Sequence, residues 1–289
     1  MKKIKTKLGK HKLPKVSKSN IAPKDIAQFP VDHYSYSSMV QFTPNPILWK
    51  IKYVNRDRYD TTHNISGVIG QAFHTAMEVY RGGVPEMNPR DGAEAIEFGL
   101  KAGLDFLEKY NDGFISYSKT VPVKQKALEL FAFAFNSYIK EDKDTGEQTL
   151  ATEDAICENI DIQWRGRKLN LPVKLKGYLD RVVRRADGKL VIKDYKTCRS
   201  FSDPERIDGA KIIQAVVYYL LAFAKYGEEP YAMEYEEVKL SKDAEGKQVR
   251  IYEIVYAENE LYFDFFFRLY DDITSALNGQ SRGSDFLKT

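Results

Sequence analysis

The stretch "GYLDRVVRRADGKLVIKDYKT", residues 177–197, sets Asp180, Asp194 and Lys196 among apolar residues. Burying a charge costs several kcal/mol unless it is paired or holds a metal, so these three need a reason. If "RRADGK" closes a hairpin through Ala186, Asp187 and Gly188, Val182 stands opposite Ile192 and Asp180 opposite Asp194. Opposed residues of a hairpin have Cβ atoms about 5 Å apart, and two carboxylates there repel unless something positive lies between them. A hard divalent cation, Mg²⁺ or Mn²⁺, meets that demand. Lys196 points to the same side as Asp194 and is placed to position a water, or to take its proton if a nearby positive charge lowers its pKa. A structural Asp–Lys pair plus an exposed acid on an edge strand accounts for the same residues without chemistry, and hairpin geometry does not choose between them.

The elements that must hold these residues are legible from periodicity. Three runs rich in Ile, Val, Leu and Tyr, at 155–164, 173–184 and 189–197, predict strands. A helix follows at about 207–226, then strands at 231–240 and 248–256 and a last helix at 258–277. Upstream the pattern is helical. Ser35 and Ser37 are cap candidates before two short helices broken by Pro44 and Pro46. "SGVIGQAFHTAMEVYRGG" carries Ala72, Phe73, Ala76, Met77 and Tyr80 at helical spacing, and further helices fit 89–111 and 121–141, with "GGVPEMNPRDG" as a loop. The order predicts an α/β or α+β core around a mixed sheet. It divides the chain into a basic, flexible arm at 1–30, a helical region at 31–150, a core at 151–280 and a tail at 281–289.

Composition bounds the rest. The chain has 289 residues, 43% of them hydrophobic and 13% aromatic, ample for a packed interior. The longest apolar run, "AVVYYLLAFA" at 215–224, is half of a membrane span, and the two cysteines, Cys157 and Cys198, are too few for a disulfide framework, so a cytoplasmic location is expected. Net charge is +3, but residues 1–18 carry eight lysines and no acid, leaving −5 for the remainder. Such a segment reads as a mobile arm able to lie along phosphates, or as a plain solubilising tail.

Taken together, "GYLDRV" followed by "DYKT" resembles the G-x-x-D…D-x-K core of the PD-(D/E)xK nucleases, with Leu179 where the name's proline would stand. "GQAFH" at 70–74, "QAVVY" at 214–218 and the serine-rich "SYSSMVQFTPNPILWKIKYV" are similar to elements of the RecB-like exonuclease branch, although Cys-Pro often stands where this chain has Thr43-Pro44 or Asn45-Pro46. The resemblance covers roughly residues 34–226. It implies a restriction-endonuclease-like core: a central mixed sheet flanked by helices, with an N-terminal helical region.

The same resemblance assigns roles. His74, Asp180, Asp194 and the carbonyl of Tyr195 would hold Mg²⁺ or Mn²⁺, Lys196 would position the attacking water, Gln214 would orient the site, and Tyr218 would lie near the substrate phosphate. An acid on the preceding strand would help; Glu158 is one candidate, with Glu153 and Asp161 competing. Without the resemblance, His74 is a core histidine and Gln214 and Tyr218 are parts of a buried helix. Relatives including the CRISPR adaptation and AddB-type nucleases often carry an iron–sulfur cluster on one early and three late cysteines. This chain has no cysteine before Cys157 or after Cys198, so no cluster is expected.

The implied activity is metal-dependent hydrolysis of DNA, as an exonuclease of recombination, repair or phage genome processing. Basic side chains in "RRADGK", "KTCRS" and the arm would hold the backbone without reading bases. No P-loop is present, so a helicase or recombination partner would supply any unwinding motor. Two alternatives stand beside this: a DNA-binding scaffold with a nuclease fold and no catalysis, and an RNA-directed nuclease.

Overall fold

A computed structural model describes residues 13–19, 31–56, 65–82, 92–110, 123–142, 145–171, 173–203, 206–242 and 246–277. Most of the basic arm, most of the "GGVPEMNPRDG" loop and the 281–289 tail lie outside the described residues. Among the described residues no helix is long and apolar enough to cross a membrane.

The strands form a mixed six-stranded sheet. Its centre is the predicted hairpin, β6 (Lys174–Arg184) and β7 (Leu190–Cys198). The turn is as the sequence predicts: Gly188 takes φ +83° and the Arg185 N–H bonds the Lys189 carbonyl at 3.0 Å, so Val182 pairs with Ile192. β3 (Gln148–Glu158) lies antiparallel along β6, and the two-residue β2 (His33–Tyr34) runs parallel to its start. β7 then pairs parallel with β8 (Ala232–Lys239), which pairs antiparallel with β9 (Val249–Val255).

Parallel pairing needs a crossover, and α6 (Gly209–Tyr226) supplies it. Asp208 caps its start, and Gly227, at φ +74°, ends it. Its apolar face packs on the sheet together with α1 (Tyr36–Phe42) and α7 (Glu260–Leu277) in the larger core. Ser35 forms a capping box with Ser38 at the start of α1, and Asn45 caps α2 (Pro46–Trp49), so the two short helices form where caps and prolines predict them. On the opposite sheet face, α3 (Ile65–Tyr80), α4 (Gly92–Lys109) and α5 (Val123–Glu141) form a second core that reaches Tyr195, Val238 and Leu240.

The sequence reading needs correction in two places. Between 148 and 198 there are five strands, not three: the run at 155–164 is broken at Asn159, and β4 (Ile160–Trp164) joins a separate small sheet with β5 (Arg167–Asn170). The third member of that sheet is β1 (Lys15–Lys18), inside the stretch expected to be mobile; Ser19 N–H also bonds the Asn159 carbonyl at 2.8 Å. Val16 lies partly buried against the core, so four arm residues take a fixed place.

Candidate active site

The site lies where the hairpin splits. β6 and β7 pair from Arg184↔Leu190 down to Arg181↔Lys193 and then part, although the register would bring Asp180 opposite Asp194 next. In place of the next ladder bond, Asp180 Oδ2 accepts the Tyr195 N–H at 2.8 Å. β2 pairs with the same edge of β6 only at Lys174 and Leu175, so the edge is open between. The tight approach of α6 explains the motif glycine: a Cβ on Gly177 would fall 2.7 Å from Leu221 Cδ1 and 3.1 Å from Tyr218 Cε1.

Two further groups reach Asp180. His74 Nδ1 on α3 is 3.2 Å from Asp180 Oδ2 and 3.5 Å from Glu153 Oε1 on β3. One donor atom from each of His74, Glu153 and Asp180 lies within 4.8 Å of the other two. A β-bulge between Thr149 and Ala151 shifts the β3 register so that Glu153 comes level with Asp180. Glu153 has φ +45°, a left-handed conformation that an ordinary side chain adopts only at a cost of order 1–3 kcal/mol and that clusters at functional sites. Two carboxylates and an imidazole are a donor set that can hold a divalent cation. Burial works against a charged imidazole, but Asp180 and then Glu153 outweigh it and push the His74 pKa up to about 10. Burial likewise opposes the Asp180 charge, and His74 outweighs it, so that carboxyl is held below its ordinary range.

The second half of the site lies on the α6 side, where Asp194 and Gln214 are buried and Lys196 stays partly exposed. Asp194 is 0% exposed; its Oδ1 accepts from Gln214 Nε2 at 2.6 Å and its Oδ2 pairs with Lys196 Nζ. Burial, with help from the Asp180 charge, pushes Asp194 up to about 6. The Tyr235 hydroxyl donates to the Lys211 carbonyl at 2.8 Å, with Gln214 Oε1 3.4 Å away. Tyr218, one turn on, is 3% exposed and packs edge-to-face on Tyr36 at 6.0 Å, with Tyr36 in electrostatic reach of Lys196. Beside Lys196, Glu237 on β8 collects Lys211, Arg250 and Ser202, anchoring the loop that leads into α6.

Placed against the sequence reading, Asp180 and His74 meet, and Asp194, Lys196, Gln214 and Tyr218 meet, as two adjoining groups. Asp194 is not within the three-donor cluster; its oxygens face Lys196 and Gln214. Tyr195 turns its ring into the second core and gives its N–H to Asp180. Burial opposes the Lys196 charge, but Asp194 and Asp180 more than offset it, so its pKa is raised. Its ammonium points at Asp194 Oδ2. Of the three competing acids, Glu153 is the one at the site; Glu158 instead pairs with Lys18 at 2.8 Å, and Asp161 lies on β4 in the small sheet. Gly70 is not needed for space, since a Cβ there would meet Thr197 Oγ1 at an ordinary 3.5 Å.

A mixed sheet between two helical layers, with carboxylates, an imidazole and a lysine at the fork of its central hairpin, is the arrangement of a phosphodiester-cleaving hydrolase of restriction-endonuclease-like fold. The sequence matches the PD-(D/E)XK nuclease superfamily over residues 33–283, and the chain belongs to that superfamily. Members use divalent metals on a nucleic acid substrate. No curated protein matches the sequence. A solved structure titled "Crystal structure of SSO0001" is similar at 15% identity over 82% of this chain and 85% of that one, with a TM-score of 0.30.

Proposed function

We propose that the protein is a DNA nuclease of the RecB-like branch, an exonuclease dependent on Mg²⁺ or Mn²⁺, acting in the cytoplasm in recombination, repair or phage genome processing. The observation that carries this reading is the meeting of His74, Glu153 and Asp180 within 4.8 Å beside the pair of buried Asp194 and partly exposed Lys196. When bound, a divalent cation supplies charge to the phosphate and acidity to its water.

His74, Glu153 and Asp180 would hold it, and the family resemblance adds Asp194 and the Tyr195 carbonyl as further ligands. Lys196 keeps its proton at Nζ and directs it to the attacking water or to a phosphate oxygen, where a fixed cation in a poorly hydrated site stabilises developing charge. Gln214 keeps Asp194 aimed at Lys196. The Tyr195 N–H holds the Asp180 carboxylate, so that one of its oxygens is fixed before substrate arrives. Tyr218 bounds the site toward the substrate phosphate.

The test is cleavage of end-labelled linear and circular DNA, and of matched RNA, in Mg²⁺, Mn²⁺ and EDTA. Asp180→Asn, Glu153→Gln and Lys196→Ala are expected to lower the rate at least about 10²-fold while the fold persists. Full activity in Lys196→Ala and Asp180→Asn sinks the mechanism. Binding without cleavage identifies a scaffold, and preference for RNA an RNA-directed enzyme.

A further inference from the structure

Outward from the metal-binding trio, β3 and β6 carry an uncovered strip of sheet. Beyond Glu153 and Asp180, which lie level but unpaired, the in-register partners on the same face are Ala155 and Tyr178, then Cys157 and Lys176. Ala155, Cys157 and Tyr178 are exposed, Tyr178 by 49%, whereas the alternating residues Ile156, Leu175 and Leu179 are buried against α6 and its neighbours. Each step of two residues covers about 7 Å, on the scale of one nucleotide. Ala155 and Cys157 are small, so they leave the Tyr178 ring standing clear, with Lys176 Nζ 5.4 Å from its centroid. Among the described residues no carboxylate makes an ion pair with Lys176 or Lys174, although acids pair with most lysines elsewhere on this sheet, such as Lys193 and Lys196. His33, opposite Lys174, feels the Lys176 charge as well. The strip is therefore cationic and aromatic, and it begins at an acidic centre that only a metal would make hospitable to phosphate.

We propose that Tyr178 and Lys176 form a subsite for the nucleotide next to the cleaved phosphate in a single-stranded substrate. The base stacks on the Tyr178 ring and the phosphate takes the Lys176 ammonium. Aromatic stacking of this kind tolerates any base, and unpaired lysines answer the charge of a phosphate backbone. The proposal rests on the nuclease reading above.

The test is anisotropy of a fluorescein-labelled oligodeoxynucleotide with the full chain in Ca²⁺, beside cleavage in Mg²⁺. Tyr178→Ala is expected to weaken binding about tenfold and Tyr178→Phe to bind as wild type. Lys176→Ala should reduce the slope of log affinity against log salt by about 0.7. An abasic residue scanned along the oligonucleotide should, at one position only, erase the difference between wild type and Tyr178→Ala, which a merely structural tyrosine would not produce. Equal affinities for wild type and Tyr178→Ala at every position overturn the subsite, and cleavage by both then leaves the nuclease reading standing. A wild-type chain that neither binds nor cleaves overturns both. A concentration-dependent dimer that Tyr178→Ala abolishes also overturns the subsite, because the strip is then a contact between two copies.

Discussion

Glu237 offers a test of the electrostatics that frame the site. Its side chain is 1% exposed; Lys211 Nζ lies 2.5 Å from one oxygen and Arg250 Nη2 2.8 Å from the other, with the Ser202 N–H at 3.0 Å. Burial alone would raise the carboxyl, but Lys211, Ser202 and Arg250 outweigh it and lower it from 4.5 to about 2. Since the folded value is the lower one, the stabilisation is present in full above the unfolded value near 4.5 and is lost as pH falls toward about 2. At about 1.4 kcal/mol per pH unit, the carboxylate contributes about 3 kcal/mol at neutral pH, of which about 1 kcal/mol remains at pH 3. Glu237→Gln keeps the shape and removes the charge. Urea unfolding followed by circular dichroism should put the variant about 3 kcal/mol below wild type at pH 7 and about 1 kcal/mol below at pH 3. A deficit that is the same at both values, or absent at pH 7, refutes the reasoning.

Other consequences can be measured directly. Gly177→Ala should cost about 1–3 kcal/mol in urea unfolding, because its new methyl meets Leu221 and Tyr218; adding Leu221→Ala should cost less than the sum of the two single changes, and simple additivity would contradict the packing argument. The two thiols should react at different rates with a disulfide reagent at pH 8. Cys157 is exposed and should react fast, whereas burial pushes Cys198 up to about 11 and should leave it slow; a single fast phase of two thiols would count against this.

How much of this was written in the sequence can be judged residue by residue. The hairpin was legible because a three-residue turn with glycine in the left-handed position fixes register, and register placed Asp180, Asp194 and Lys196 on adjoining strands. Gln214 and Tyr218 were legible as one face of a helix, and His74 through the element that contains it. The parting of β6 and β7 after Arg181↔Lys193 was not, since local patterning carries no mark of where two strands diverge. Glu153 was only one of three competing acids, because its position depends on a bulge and a positive φ that alternation does not reveal. The small sheet of β1, β4 and β5 joins segments some 145 residues apart, a long-range pairing that the lysine-rich composition of the arm conceals.

The fork in the central hairpin has a consequence for folding hygiene. An unpaired edge in mid-sheet is a template for a stray strand, and inward-pointing charge is one way proteins discourage it. Asp180 occupies that edge and caps the Tyr195 amide, so the same carboxylate guards against misassembly. Alanine there would strand a buried N–H at a cost of about 1–3 kcal/mol, and a soluble, inactive Asp180→Asn chain is the cleaner witness to chemistry than an Asp180→Ala chain that clumps.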